Sequence, residues 1–149
     1  MDVSTWSLIV GCFCLSVIAG AGIFQALIVM PAYFRSPPAS LEAMQTDKSF
    51  IFWIPLQLVT LVALILALFS SEGNDRMTAI WAAIACYVVC WVITGIFFIP
   101  GVVAFNRVDT TGPASPELAE RGRRWLQRSW ARHVLTLGAA ASLLIALAQ

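Results

Sequence analysis

Four long stretches of the chain contain no Asp, Glu, Lys or Arg, and this feature restricts its fold more than any other. They cover residues 3–34, 49–71, 77–106 and 133–149. A helix needs about 20 apolar residues to cross the hydrocarbon core of a bilayer, so each stretch is near or above the length of one span. In lipid the backbone must satisfy its own hydrogen bonds, which favours helices. The pattern predicts an all-α integral membrane protein, a single four-helix bundle over residues 1–149.

Proline, glycine and polar clusters set the predicted limits of these spans. The spans trimmed at such residues cover about residues 6–34, 50–69, 78–105 and 130–148. Ser115 followed by Pro116 is typical of a helix N-cap with proline in the first turn. The connector before the fourth span is therefore predicted to form an amphipathic surface helix over residues 116–129. Only 11% of the residues are charged, against about a quarter in soluble domains, which excludes a sizeable water-soluble domain.

The basic residues are divided unequally between the two sides of the predicted bundle. Eight of the nine Lys and Arg residues lie in or beside the connectors after the first and third spans, and Arg76 alone lies on the other side. The positive-inside rule places the basic connectors in the cytoplasm. We therefore expect a bacterial inner-membrane protein with both termini on the non-cytoplasmic side. The net charge of +1 gives no reason to expect nucleic-acid binding, and the oligomeric state is left open.

Polar side chains within the spans concentrate in the half nearest the cytoplasm. They include Gln25, Gln57, Thr60, Thr94 and Thr136 inside the spans, and Asn106, Arg132 and His133 at the inner ends. Polar groups in a bilayer usually face the bundle interior, and ionisable ones mark functional sites. The pattern predicts a pocket lined by all four helices and open to the cytoplasm, where these residues contact a hydrophobic small molecule. In the alternative interpretation, Gln and Thr bond neighbouring helices and Arg132 meets lipid headgroups.

His133 is the only histidine, and its intrinsic pKa is the only one near neutral, so proton transfer would fall to it first. A resident metal ion is not expected, because the spans contain no Asp or Glu to complete a ligand set. A haem with His133 as its axial ligand is the alternative to a cofactor-free site. The cysteines, which are expected to act as small apolar residues, are Cys12, Cys14, Cys86 and Cys90.

The second half of the chain resembles the anthrone oxygenase-like family of small four-helix membrane proteins, many of them bacterial and of unassigned function. The resemblance rests on residues 94–100 at the end of the third span and on the sequence RWLQRSWAR at residues 124–132. In the second segment, Trp125, Ser129 and Arg132 follow the spacing of the family. The length of the chain, the number of spans and the long third connector are similar as well.

The resemblance implies oxygenation of an anthrone or another hydrophobic polycyclic phenol, with dioxygen as co-substrate and no cofactor. In this interpretation His133 is the base and Arg132 stabilises the oxyanion. Thr94 and Asn106 orient the oxygen atoms, and Trp125 stacks on the polycycle. The alternative is a non-catalytic membrane protein that binds a lipid, a haem or a hydrophobic small molecule, or that serves as an accessory subunit. Transport is disfavoured because the spans contain no Asp, Glu or Lys to carry ions or protons.

Overall fold

The structure, a computed structural model, describes residues 2–71 and 75–149. In this part of the chain the regular structure is helical and contains no strand. Four helices are long and apolar enough to cross a membrane, namely α1 (Val3–Tyr33), α2 (Phe50–Ser70), α3 (Met77–Asn106) and α4 (Pro116–Ala148). The predicted all-α fold with four helices of spanning length is thereby confirmed.

Helix α4 joins the third connector and the last apolar stretch in one piece. Its 33 residues extend for about 50 Å, whereas the hydrocarbon core of a bilayer is about 30 Å thick. The Leu118 amide donates a hydrogen bond to Ser115 Oγ at 3.2 Å. Pro116 follows this cap in the first helical position. An amide there has no carbonyl partner within the helix, so the missing amide hydrogen of proline breaks no helical hydrogen bond. Residues 116–129, predicted as an amphipathic surface helix able to continue unbroken into the fourth span, are the first part of α4.

The helices lie side by side in the order α2, α1, α4, α3, and α2 makes few contacts with α3. Small and apolar residues from all four helices form a core at the end of the bundle that carries the chain termini, which we call the terminal end. Buried members of this core are Leu8, Leu64, Ala83 and Leu143. Large apolar side chains on the outer faces of α2 and α3 are exposed instead.

Helices α1 and α3 each contain one widened π-helical turn near the other end of the bundle. These turns, Gln25–Val29 and Thr94–Phe98, end two residues before Pro31 and Pro100. Proline lacks an amide hydrogen and interrupts the usual ladder of helical hydrogen bonds. The residue before each proline donates its amide to the carbonyl five positions back, which is the first residue of the π turn.

The connectors at residues 34–49 and 107–115 pack together with the first half of α4, and we call this region the arginine-rich end. The Ser115 amide donates to the Pro37 carbonyl at 2.9 Å. The Gln45 side-chain amide donates to the Val108 carbonyl, also at 2.9 Å. A second apolar cluster lies beneath these connectors and is formed by Tyr33, Leu41, Met44 and Phe105. The residues that the structure describes therefore form two separate cores, one at each end of the bundle.

Candidate functional site

A cleft of about 340 Å³ opens between the second half of α3 and the first half of α4. Helix α3 supplies aromatic and apolar side chains, and α4 supplies a tryptophan and several arginines. The lining residues are Ile93, Phe97, Phe98, Gly101, Phe105, Arg121, Arg124, Trp125, Arg128, Ser129 and Arg132. Small-molecule sites are mostly apolar with a few polar groups that orient the ligand. We call this site the aromatic–arginine cleft.

The indole of Trp125 forms the inner wall of the aromatic–arginine cleft. It stacks on Phe98 with ring centroids 4.6 Å apart, and it meets Phe34 and Phe105 edge to face at 6.0 and 5.6 Å. Gly101 lies directly against the indole, and a Cβ at that position would overlap the ring. Because Phe98 covers one face of the indole, that face of Trp125 is not free for the predicted stacking of a polycycle. The tryptophan instead holds the shape of the wall.

Arg132 lies over the ring of Phe98, with its Cζ 3.4 Å from the ring centroid. This is the geometry of a cation–π interaction. Its Nε is buried and has no hydrogen-bond partner in the described part of the chain, and the same holds for Trp125 Nε1. Within residues 2–71 and 75–149, no carboxylate forms an ion pair with Arg132. Buried cations are normally paired with an anion, so these surroundings suit an anionic group that another molecule supplies.

His133 faces α1 and does not line the cleft. Its ring lies 5.3 Å from that of Trp130, and a Cβ added to Gly22 would be 3.0 Å from the imidazole. Consecutive helical residues point about 100° apart, so His133 and its neighbour Arg132 diverge. The geometry therefore does not support their predicted joint action on one ligand. The imidazole Nε2 is buried and, like Arg132 Nε, has no hydrogen-bond partner in the described part of the chain, and haem binding through His133 stays a prediction.

Three other predicted pocket residues form hydrogen bonds inside the protein. The Tyr87 hydroxyl donates to Gln57, with 2.7 Å to Oε1 and 2.9 Å to the backbone oxygen. Thr60 and Thr94 each donate to the carbonyl four residues earlier, at 2.8 and 2.7 Å. Side chains bonded in this way bridge helices or satisfy their own helix. These contacts agree with the alternative interpretation that the sequence left open.

The aromatic–arginine cleft is lined by two helices, α3 and α4, whereas the sequence predicted a pocket lined by all four. Phe34 fills the space where α1 would open towards α4, because it packs on Phe105 at 4.9 Å and directly against Gly122. Gln25 is half-buried at the start of the first π turn, and Asn106 is exposed at the end of α3. Neither residue lines the cleft. Of the eight predicted site residues, Arg132 and Trp125 are the two that do.

Several residues of the cleft were missed by the sequence analysis. The ring of Phe98 contacts both Trp125 and Arg132. In the sequence, nothing distinguishes Phe98 from the other aromatic residues of the third span. Arg121, Arg124 and Arg128 were used to predict orientation, and the last two also lie in the segment that carries the family resemblance. Their separation from one another and from Arg132 by three or four residues was a usable signal, because such residues share one face of a helix.

No family model matches the chain, and no curated protein or solved structure does either. The resemblance to the anthrone oxygenase-like family stays a prediction. In the described part of the chain, no three His, Cys, Asp or Glu side chains are close enough to hold a metal ion. The chemistry open to this protein is therefore inferred from the aromatic–arginine cleft.

Proposed function

We propose that the chain is an integral inner-membrane protein that binds a hydrophobic anion in the aromatic–arginine cleft. Four helices of spanning length support the membrane location. So do their outward apolar side chains, for example Ile54 and Ile96, whose exposed fractions are 56% and 61%. Eight of nine basic residues at one end favour a cytoplasmic arginine-rich end. Both termini then lie outside the cytoplasm.

Fusions to alkaline phosphatase test this orientation, because the enzyme becomes active only outside the bacterial cytoplasm. A fusion after Gln149 is expected to be active, and a fusion within residues 107–115 is expected to be inactive. The reverse pattern would place the aromatic–arginine cleft on the other side of the membrane. Equal activity at both sites would contradict a membrane-spanning α4.

The observation that carries the binding function is Arg132 held over Phe98 without an acidic partner. A guanidinium in such a half-apolar site is stabilised by an anion that enters with it. Phe97, Phe98 and Ile93 surround the same space and favour an apolar body next to the charge. A hydrophobic molecule with at least one anionic oxygen satisfies both requirements. A neutral ligand would leave the cation unpaired.

Two fluorescent ligands with the same tricyclic ring test this function in detergent-solubilised protein. Anthracene-9-carboxylate is expected to bind about tenfold more tightly than the neutral anthracene-9-methanol, which is the effect of one charge-assisted hydrogen bond. Arg132→Gln is expected to remove the preference. Arg107→Gln is the control, because Arg107 is exposed and lies outside the cleft. Equal binding of the two ligands, or a preference that survives Arg132→Gln, would refute the proposal.

A second candidate function is oxygenation of an anthrone, and Arg132 favours it because an anthrone reacts with dioxygen as its enolate. In this scheme the anthrone gives up a proton to water and Arg132 holds the enolate oxygen. The enolate carbon then adds dioxygen, and the peroxide takes up a proton and loses water, so anthrone and O₂ give anthraquinone and H₂O. His133 faces α1, so it is not the base in this version of the reaction.

Oxygen consumption with an anthrone substrate separates the second candidate from simple binding. Arg132→Gln is expected to slow the protein-dependent rate, and His133→Ala is expected to leave it unchanged in protein that stays folded. If His133→Ala abolishes the reaction while ligand binding persists, His133 is the base and the cleft rearranges during turnover. A protein that binds anthracene-9-carboxylate but consumes no oxygen is a binding protein alone.

A further inference from the structure

Four arginines form a row along one face of α4, and all four line the aromatic–arginine cleft. The members of this arginine row are Arg121, Arg124, Arg128 and Arg132. Their separations of three, four and four residues place them on the same side of the helix. At 1.5 Å per residue the row is about 16 Å long. It leads from the connector into the cleft.

Few negative charges in the protein balance the arginine row. Glu120 pairs with Arg123 at 2.6 Å and with Arg124 at 3.5 Å. In the parts of the chain that the structure describes, no other carboxylate forms an ion pair. Three cations of the row therefore have no anionic partner there, namely Arg121, Arg128 and Arg132.

Two of these cations are held in place by aromatic rings. Arg132 lies 3.4 Å from the ring centroid of Phe98, and Arg121 lies 5.5 Å from that of Phe105. Contacts of this kind fix the position of a guanidinium while leaving its N–H groups available to a ligand. Arg121 and Arg132, the two ends of the arginine row, are therefore positioned donors at the cleft.

The outer rim of the cleft continues onto the apolar surface of α3. Phe97 lines the cleft and is 56% exposed, and the neighbouring Ile96 is 61% exposed. In the proposed membrane orientation this surface faces lipid tails. An apolar chain can therefore lie along α3 while its polar headgroup enters the cleft sideways from the bilayer.

From these contacts we infer that the cleft binds the headgroup of a lipid phosphomonoester or lipid diphosphate. This inference rests on the proposed function and names its ligand. A phosphomonoester carries about 1.5 to 2 negative charges and three strong acceptor oxygens, which match several guanidinium groups at once. A phosphodiester lipid has a single charge and would leave two of the three unpaired cations without an anion.

Native mass spectrometry of the full chain tests the choice of headgroup. An equimolar mixture of didecanoyl phosphatidic acid and didecanoyl phosphatidylglycerol, which share their acyl chains, is added to the detergent-solubilised protein. The detergent is then removed in the spectrometer, and the lipids that stay bound are counted. Phosphatidic acid is expected to be bound about tenfold more than phosphatidylglycerol, because it gains an additional charge-assisted contact. Arg128→Gln and Arg132→Gln are expected to bring the ratio close to one. Arg132→Lys keeps the charge and is expected to recover part of the preference.

Controls separate the possible results. Arg107→Gln, at an exposed site outside the cleft, is expected to keep the preference, and inorganic phosphate at the lipid concentration is expected not to compete. Equal binding of both lipids that still depends on Arg132 would overturn the headgroup inference and leave the proposed function standing. Binding that is independent of the arginine row for every anion would overturn both. Effective competition by inorganic phosphate would overturn the assignment to a lipid.

Discussion

The two ends of the bundle are built from different residues and satisfy their polar groups differently. At the terminal end, a core of leucine and alanine surrounds few polar atoms, and those present are paired, as in the 2.6 Å contact between Ser4 Oγ and Ser71 Oγ. At the arginine-rich end, Trp125 Nε1 and Arg132 Nε are buried without partners in the described residues. Natural proteins break packing rules mainly at functional sites. Stability and binding are therefore expected to depend on opposite ends of the molecule.

The largest expected effect is on stability and comes from the terminal end. Leu143 is completely buried, whereas its neighbour Leu144 is 54% exposed. Leu143→Ala is expected to lower the free energy of unfolding by about 2 to 5 kcal/mol, because it leaves a cavity among four helices. Leu144→Ala, the matched control, is expected to have a much smaller effect. Steric trapping of the unfolded state in bicelles measures both variants.

The same two variants test whether the ends are independent. Below the unfolding temperature, Leu143→Ala is expected to bind anthracene-9-carboxylate with the affinity of the unmodified chain, because Leu143 belongs to the terminal core and not to the cleft. A loss of affinity comparable with the loss of stability would show that the two ends are coupled. The proposed division between them would then be wrong.

An intermediate effect is expected at Gly101, and it should appear in binding. A Cβ at this position would overlap the indole of Trp125, so Gly101→Ala must displace the inner wall of the cleft. Overpacking of this kind costs about 1 to 3 kcal/mol, and the affinity for anthracene-9-carboxylate is expected to fall with it. Gly95→Ala on the same helix is the control, because a Cβ there meets nothing within 4 Å. Equal affinity of both variants would remove Trp125 from the binding site.

The four helices could be predicted from sequence, but the composition of the cleft could not. The thickness of a bilayer imposes a length on each span, and a length is visible as a run of residues without charge. The side of a helix that a residue faces depends on how each helix is rotated against its neighbours. Arg132 and His133 are adjacent in sequence and lie at the same depth, yet one faces α3 and the other faces α1. Sequence alone places both at one level of the same helix but does not predict the direction in which either points.

The packing roles of two aromatic residues were also not predicted from the sequence. Phe34 and Phe98 look like ordinary span residues, but Phe34 packs against Phe105 and Gly122, and Phe98 supports Arg132. Each gains its role from a glycine or arginine on another helix, and such a pairing leaves no pattern along one segment. The helical spacing of the arginine row, in contrast, was readable from the sequence.

The smallest expected effect is at Tyr87, which bonds to Gln57 across α2 and α3. Tyr87→Phe is expected to lower the free energy of unfolding by about 0.6 kcal/mol, the average for a hydrogen bond between membrane helices. Because Gln57 lies outside the cleft, the affinity for anthracene-9-carboxylate is expected to stay unchanged. A double-mutant cycle with Gln57→Leu isolates the contribution of the side-chain pair. Additive effects in that cycle would show that the bond to Gln57 Oε1 contributes nothing to stability. Weaker ligand binding by Gln57→Leu would return Gln57 to the predicted binding residues and extend the functional region beyond the arginine-rich end.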